Sequence, residues 1–138
     1  MTHQQVERIE SARCRLRGFI QAGGRSSRMG RGKSWLEVEA RLLIERVMLA
    51  ARTVVVDLSI IINAANPRME EYQNLATDWN ARLIDDLHDH RGPLGGIHTA
   101  LTNCRADESA LILACDLPFL TSEFLSFLSH IHYSENMQ

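Results

Sequence analysis

Apolar and polar residues alternate along this chain in blocks of two periods. Leu16 to Gln21 is a short apolar run, and it reads as a first strand. Leu42 to Ala51 places Leu43, Ile44, Val47 and Met48 at helical spacing, so a helix is expected there. Leu58-Ser59-Ile60-Ile61-Ile62-Asn63 is rich in β-branched residues and predicts a buried parallel strand. Pro67 fits the first turn of a helix to about Ala76. Arg82-Leu83-Ile84 predicts a short strand that ends in Asp85-Asp86. Gly92-Pro93 opens a helix to about Asn103, and Ala110 to Cys115 is another apolar strand. Thr121 caps a last helix, from Glu123 to about Ile131, with a polar tail from Ser134.

Strands that alternate with helices predict a three-layer α/β fold: a mostly parallel, Rossmann-like sheet with helices on both faces. Such sheets bind ligands outside the carboxyl ends of their strands. Asn63, Asp86 and Asp116 each fall at such an end, as does the stretch that follows Gln21.

That stretch, Ala22-Gly23-Gly24-Arg25-Ser26-Ser27-Arg28-Met29-Gly30-Arg31-Gly32-Lys33, combines glycines with four cations. Glycine lets a backbone approach a ligand closely, and successive N–H groups in such a loop form a nest for an anion. Lys33 and Arg28 supply charge for a polyphosphate, whereas Arg25 and Arg31 read as solvated. The spacing fits neither the P-loop nor the dinucleotide fingerprint. Asp116 offers one hard oxygen, the kind of ligand that Mg²⁺ takes alongside phosphates and water.

Composition narrows the class. A length of 138 residues sets one domain, read as a polar extension over residues 1–16 and a domain over residues 17–138. Trp35 and Leu36 are expected to pack the loop against the body of that domain. A net charge of −2 argues against nucleic acid as a partner. No apolar run reaches the ~20 residues of a spanning helix, and the first residues lack the apolar core of a leader. Cys14, Cys104 and Cys115 form no disulfide framework, which fits a cytoplasmic protein. His88-x-His90 and His130-x-His132 lack the further ligands that a closed zinc site needs.

The pattern Ala-Gly-Gly-x-Ser-x-Arg-Met-Gly-x-x-Lys from Ala22 to Lys33 resembles the signature of the MobA-like nucleotidyltransferases. Gly92-Pro93-Leu94-Gly95-Gly96-Ile97 and Leu113-Ala114-Cys115-Asp116-Leu117-Pro118 match the same family, in its order and spacing. Within the family the chain looks most like the branch that guanylylates the molybdenum cofactor. The resemblance implies a nucleotide-diphospho-sugar-transferase-like fold that lacks the family's C-terminal part. It implies GMP transfer from GTP to the molybdopterin cofactor, with release of pyrophosphate and Mg²⁺ as cofactor.

Residue by residue, it carries Lys33 to the family's phosphate lysine and Asp116 to its metal ligand. Gln21, Ala22, Gly23 and Gly24 fall on the nucleotide-contacting stretch. Asn63 and Asp86 fall on positions that contact guanosine. An acceptor-only carboxylate suits the N–H donors of guanine. Asp85 stands as an alternative to Asp86, and a turn-forming role competes for Asn63. Gly32 replaces the Asp usual before the lysine, and Gln21 replaces an apolar residue. The alternatives are a cytidylyltransferase or sugar-phosphate nucleotidyltransferase of the same fold, or a shortened paralogue that binds GTP without turnover. A monomer or weak self-association is expected.

Overall fold

A computed structural model describes residues 1–7, 16–22, 35–86 and 92–136. Gly23, Gly24, Arg28 and Lys33 lie outside the described residues. The elements in chain order are β1 (Leu16–Gln21), β2 (Glu37–Val38), β3 (Arg41–Leu42), α1 (Leu43–Ala51), β4 (Leu58–Ile62), α2 (Met69–Asp78), β5 (Arg82–Asp85), α3 (Gly92–Thr102), β6 (Ser109–Ala114) and α4 (Ser122–Asn136). Residues 3–7 are helical, opened by a reciprocal pair in which Thr2 N–H donates to Gln5 Oε1 and Gln5 N–H donates to Thr2 Oγ1.

Four strands form a parallel sheet in the order β5-β4-β1-β6. The central strands β1 and β4 are the apolar runs of the sequence, and β4 is buried at every position. Both faces of these strands must therefore be covered. Alternation divides them between two cores. Ile20, Ile60 and Ile62 pack with Ile44, Val47 and Met48 of α1, Tyr72 and Leu75 of α2 and Leu125 of α4. Phe19 and Ile61 pack with Ala100 of α3, flanked by Ile84 and Ile112. The three layers expected from the alternation of elements are thus present.

Glycine at position 18 allows the approach to the turn that precedes β4. A Cβ there would lie 2.8 Å from Leu58 Cδ2 and 3.1 Å from Val55 Cγ2. Beside it, Arg17 is buried at the amino end of β1. Its Nε lies 3.1 Å from Asp57 Oδ1 and 3.7 Å from Glu108 Oε2, and its Nη1 donates to the Asn103 carbonyl.

Several boundaries differ from expectation, each for a local reason. The Asn66 side-chain oxygen accepts the Arg68 N–H, so Pro67 sits in an Asx turn and α2 starts at Met69. The helix ends in a Schellman motif with Asn80 at φ 51°, where Ala81 N–H reaches the Ala76 carbonyl. The last helix continues to Asn136, because Tyr133 still packs against the core. Thr121 does cap it, accepting the Phe124 N–H at 3.2 Å.

The β2–β3 hairpin was not expected. Its turn residues, Glu39 and Ala40, take φ of 51° and 64°, a conformation that turn chemistry normally gives to Asn and Gly. Arg46 of α1 holds the turn by donating from Nε and Nη2 to the Val38 carbonyl.

Candidate active site

The sheet order defines where a ligand would sit. The chain runs outward from β1 to β4 and β5, then crosses back to place β6 on the other side of β1. The carboxyl ends of β1 and β6 therefore flank the topological switch point, where open α/β sheets leave a crevice. Gln21 pairs with Ala114 across those two strands, so Ala22, one residue on, and Asp116, two residues on, follow the strands at the same end of the sheet.

Ala22 is buried and extends the ladder, its N–H donating to the Ile61 carbonyl at 3.0 Å. The glycine-rich stretch begins immediately after it. Trp35 marks the return of the chain, and its ring meets Tyr72 of α2 at a centroid distance of 5.0 Å. The Tyr72 hydroxyl donates to the Ala22 carbonyl at 3.4 Å. One side chain thus joins both ends of the stretch, and Trp35 packs on the body as expected, whereas Leu36 is exposed.

The Gln21 side chain turns toward α3. A Cβ on Gly96 would lie 2.7 Å from Gln21 Cδ and 2.8 Å from its Nε2, so the amide rests directly on the helix backbone. Gly95 and Gly96 are both buried, and the lack of a side chain at Gly96 lets α3 approach the end of β1.

The two neighbouring acids separate. Asp85 is exposed, and its Oδ1 accepts the Ala64 N–H at 3.0 Å, within the turn after β4. Asp86 is half-buried, continues the ladder by donating its N–H to the Ile62 carbonyl, and faces α3. There the Thr99 hydroxyl lies 3.3 Å from its Oδ1. The Asn63 side-chain oxygen accepts the Ala65 N–H at 2.7 Å, so that oxygen serves the turn.

Asp116 is half-buried just past β6. Among the described residues no three His, Cys, Asp or Glu side chains group to hold a metal ion. A single carboxylate at the switch point does fit Mg²⁺, whose remaining ligands are phosphate and water. Asp86 and Asp116 stand at opposite edges of the four strands, about 14 Å apart at the usual strand spacing. Sequence reasoning missed Thr99 and Tyr72. Both sit inside helices, with no local feature to mark them.

Fold and site together define a doubly wound parallel α/β domain whose polar groups gather at the strand carboxyl ends. A family model described as the MobA-like NTP transferase domain matches residues 18–136, and the chain belongs to this family. It is 37% identical over 113 residues to a probable molybdenum cofactor guanylyltransferase of Clostridium perfringens, an alignment that covers 81% of this chain and 52% of that protein. It is 39% identical over 104 residues to a molybdenum cofactor guanylyltransferase of Desulfosudis oleivorans, covering 75% of this chain and 47% of the relative. The chain thus spans about half the length of the curated relatives it matches. Among solved structures, molybdopterin-guanine dinucleotide biosynthesis protein A of Archaeoglobus fulgidus matches with a TM-score of 0.58 and 25% identity, over 81% of this chain and 53% of that one. Rv0371c of Mycobacterium tuberculosis matches with a TM-score of 0.66 and 17% identity, over 86% of this chain and 60% of that one, a likeness of fold.

Proposed function

We propose that this chain binds GTP with Mg²⁺ across the carboxyl ends of β1 and β6, as the nucleotide-binding part of a guanylyltransferase acting on the molybdopterin cofactor. The observation that carries the reading is the switch point itself. Ala22, the first residue of the glycine-rich, cationic stretch, follows β1 there, at the same end of the sheet as Asp116, which follows β6. The names of the relatives supply the nucleotide and the acceptor.

In this reading Lys33 and Arg28 hold the phosphates, and the N–H groups of Gly23 and Gly24 line the nest. Gln21 and Ala22 form its floor. Asp116 would hold the Mg²⁺, which supplies charge neutralisation on the phosphates when bound. A terminal phosphate oxygen of the acceptor attacks the α-phosphorus in line. The new P–O bond forms as the α–β bridging P–O bond breaks, and pyrophosphate leaves with that electron pair. The attacking oxygen is already an anion, so no base is required. Asp86 accepts from the guanine N–H groups, with Asn63 near the guanosine.

Among the described residues no helix is long and apolar enough to cross a membrane. We place the protein in the cytoplasm. We also take it as a monomer or weakly self-associating chain, through surface such as the exposed Phe124 and Phe127 of α4.

Titration with GTP and CTP in Mg²⁺, followed by pyrophosphate release with molybdopterin supplied, tests the proposal. Preference for GTP and release of pyrophosphate are expected. Preference for CTP overturns the guanylyl assignment. Binding of GTP without release leaves the chain a nucleotide-binding module alone.

A further inference from the structure

Thr99 is a polar residue with no exposed surface, on the face of α3 that covers the sheet. Its hydroxyl lies 3.0 Å from the Gly95 carbonyl one turn earlier and 3.3 Å from Asp86 Oδ1. The first contact is the usual way for a helical threonine to satisfy itself. The second is not needed for that purpose, and it reaches across to the end of another element. A hydroxyl carries one proton and two lone pairs. Here that proton has two acceptors within reach, the Gly95 carbonyl at 3.0 Å and the Asp86 carboxylate at 3.3 Å, and a charged acceptor strengthens such a bond.

From this contact we infer that Thr99 is a positioning residue for base recognition, acting through Asp86. The inference rests on the reading of Asp86 as the acceptor for guanine. A carboxylate has about four lone-pair sites. The contact from Thr99 falls on one of them, on Oδ1, and the two donors of guanine, N1–H and the 2-amino group, would be met by the remaining acceptor capacity of the group. The contact restrains the carboxyl group against turning about its terminal bond, a broad torsion with no strong preference.

The test compares GTP with ITP, which keeps N1–H and lacks the 2-amino group. Both are titrated against the full chain with Mg²⁺, in the wild type and in Thr99→Val, Thr99→Ser, Thr99→Ala and Asp86→Asn. The wild type is expected to favour GTP by about tenfold or more, the worth of one hydrogen bond to a charged group. Asp86→Asn abolishes that preference, Thr99→Val narrows it at least threefold, and Thr99→Ser restores it. Thr99→Ala also lacks the hydroxyl and adds no bulk, so it carries the same expectation as Thr99→Val where the latter fails to fold. A merely structural role for Thr99 would lower GTP and ITP affinity together and leave their ratio unchanged. Loss of preference in Asp86→Asn with an unchanged ratio in both hydroxyl-free variants overturns the inference and leaves the role of Asp86 standing. An unchanged ratio in Asp86→Asn, or no binding of GTP by the wild type, overturns the role of Asp86 and the inference with it.

Discussion

The indole of Trp35 meets the ring of Tyr72 edge to face, with centroids 5.0 Å apart and planes at 66°. Tyr72 also bonds Ala22, so the residues that bound the glycine-rich stretch both dock on one helix. Removing only the hydroxyl, in Tyr72→Phe, is expected to cost about 1 kcal/mol of stability. Tyr72→Ala, at a site with almost no exposed surface, should cost about 3–5 kcal/mol. Chemical denaturation measures both, and GTP affinity should fall in Tyr72→Phe, because the stem of the stretch is loosened. Unchanged affinity in a folded Tyr72→Phe would mean that the stem does not order the nucleotide site.

Gly96 and Gln21 should behave as a pair. A methyl group at position 96 meets the end of a flexible side chain, so Gly96→Ala displaces the Gln21 amide rather than disrupting the sheet. The helix itself favours alanine by up to about 1 kcal/mol. A double-mutant cycle with Gln21→Ala is expected to give a coupling energy of about 0.5 kcal/mol or more in stability. Simple additivity of the two changes would show that the close approach carries no energy.

Arg17 anchors the opposite end of the sheet. Its loss leaves Asp57, Glu108 and the Asn103 carbonyl gathered around a gap. Arg17→Ala should destabilise by about 3 kcal/mol, measured by urea unfolding. Arg17→Lys should recover only part of that, because one ammonium cannot reproduce the guanidinium fork. GTP affinity of the folded fraction should stay near that of the wild type, since the site lies at the other end of the strands.

Asp116→Asn is expected to remove the Mg²⁺-dependent part of GTP binding. The variant in Mg²⁺ should titrate like the wild type in EDTA. A full magnesium response in the variant would assign the metal to other ligands.

Burial pushes the Cys104 thiol up, and Arg17 pulls it down less strongly. The folded chain therefore holds the thiol proton more tightly than the unfolded chain does. Stability tied to this group is present below the ordinary thiol pKa and declines as pH rises through the raised folded value. Site-resolved alkylation should find Cys104 slower to react than a free cysteine between roughly pH 8 and 9, where a free thiol is already partly ionised.

Much of the fold could be read along the chain because its signals are local. The apolar runs at Leu16–Gln21 and Leu58–Ile62 are strands wherever they pair, since no other element buries residues on both sides so uniformly. Thr121 announced a helix start in the same way. The β2–β3 hairpin was hidden because Glu39 and Ala40 carry no turn signal, and the help comes from Arg46, seven and six positions further on. Asp85 and Asp86 looked interchangeable because both follow the same apolar residues. Their side chains meet different elements, Ala64 for one and Thr99 for the other.

By itself the sequence determined the succession of strands and helices, and it put polar residues at the strand ends. Both follow from periodicity and from the shift from apolar to polar composition, which act over a few neighbouring residues. Only the tertiary structure decided that β6 lies beside β1, that Gln21 rests on Gly96, and that Asp86 answers to Thr99. Those pairings join residues far apart in the chain, and they form only once buried faces have brought distant segments together.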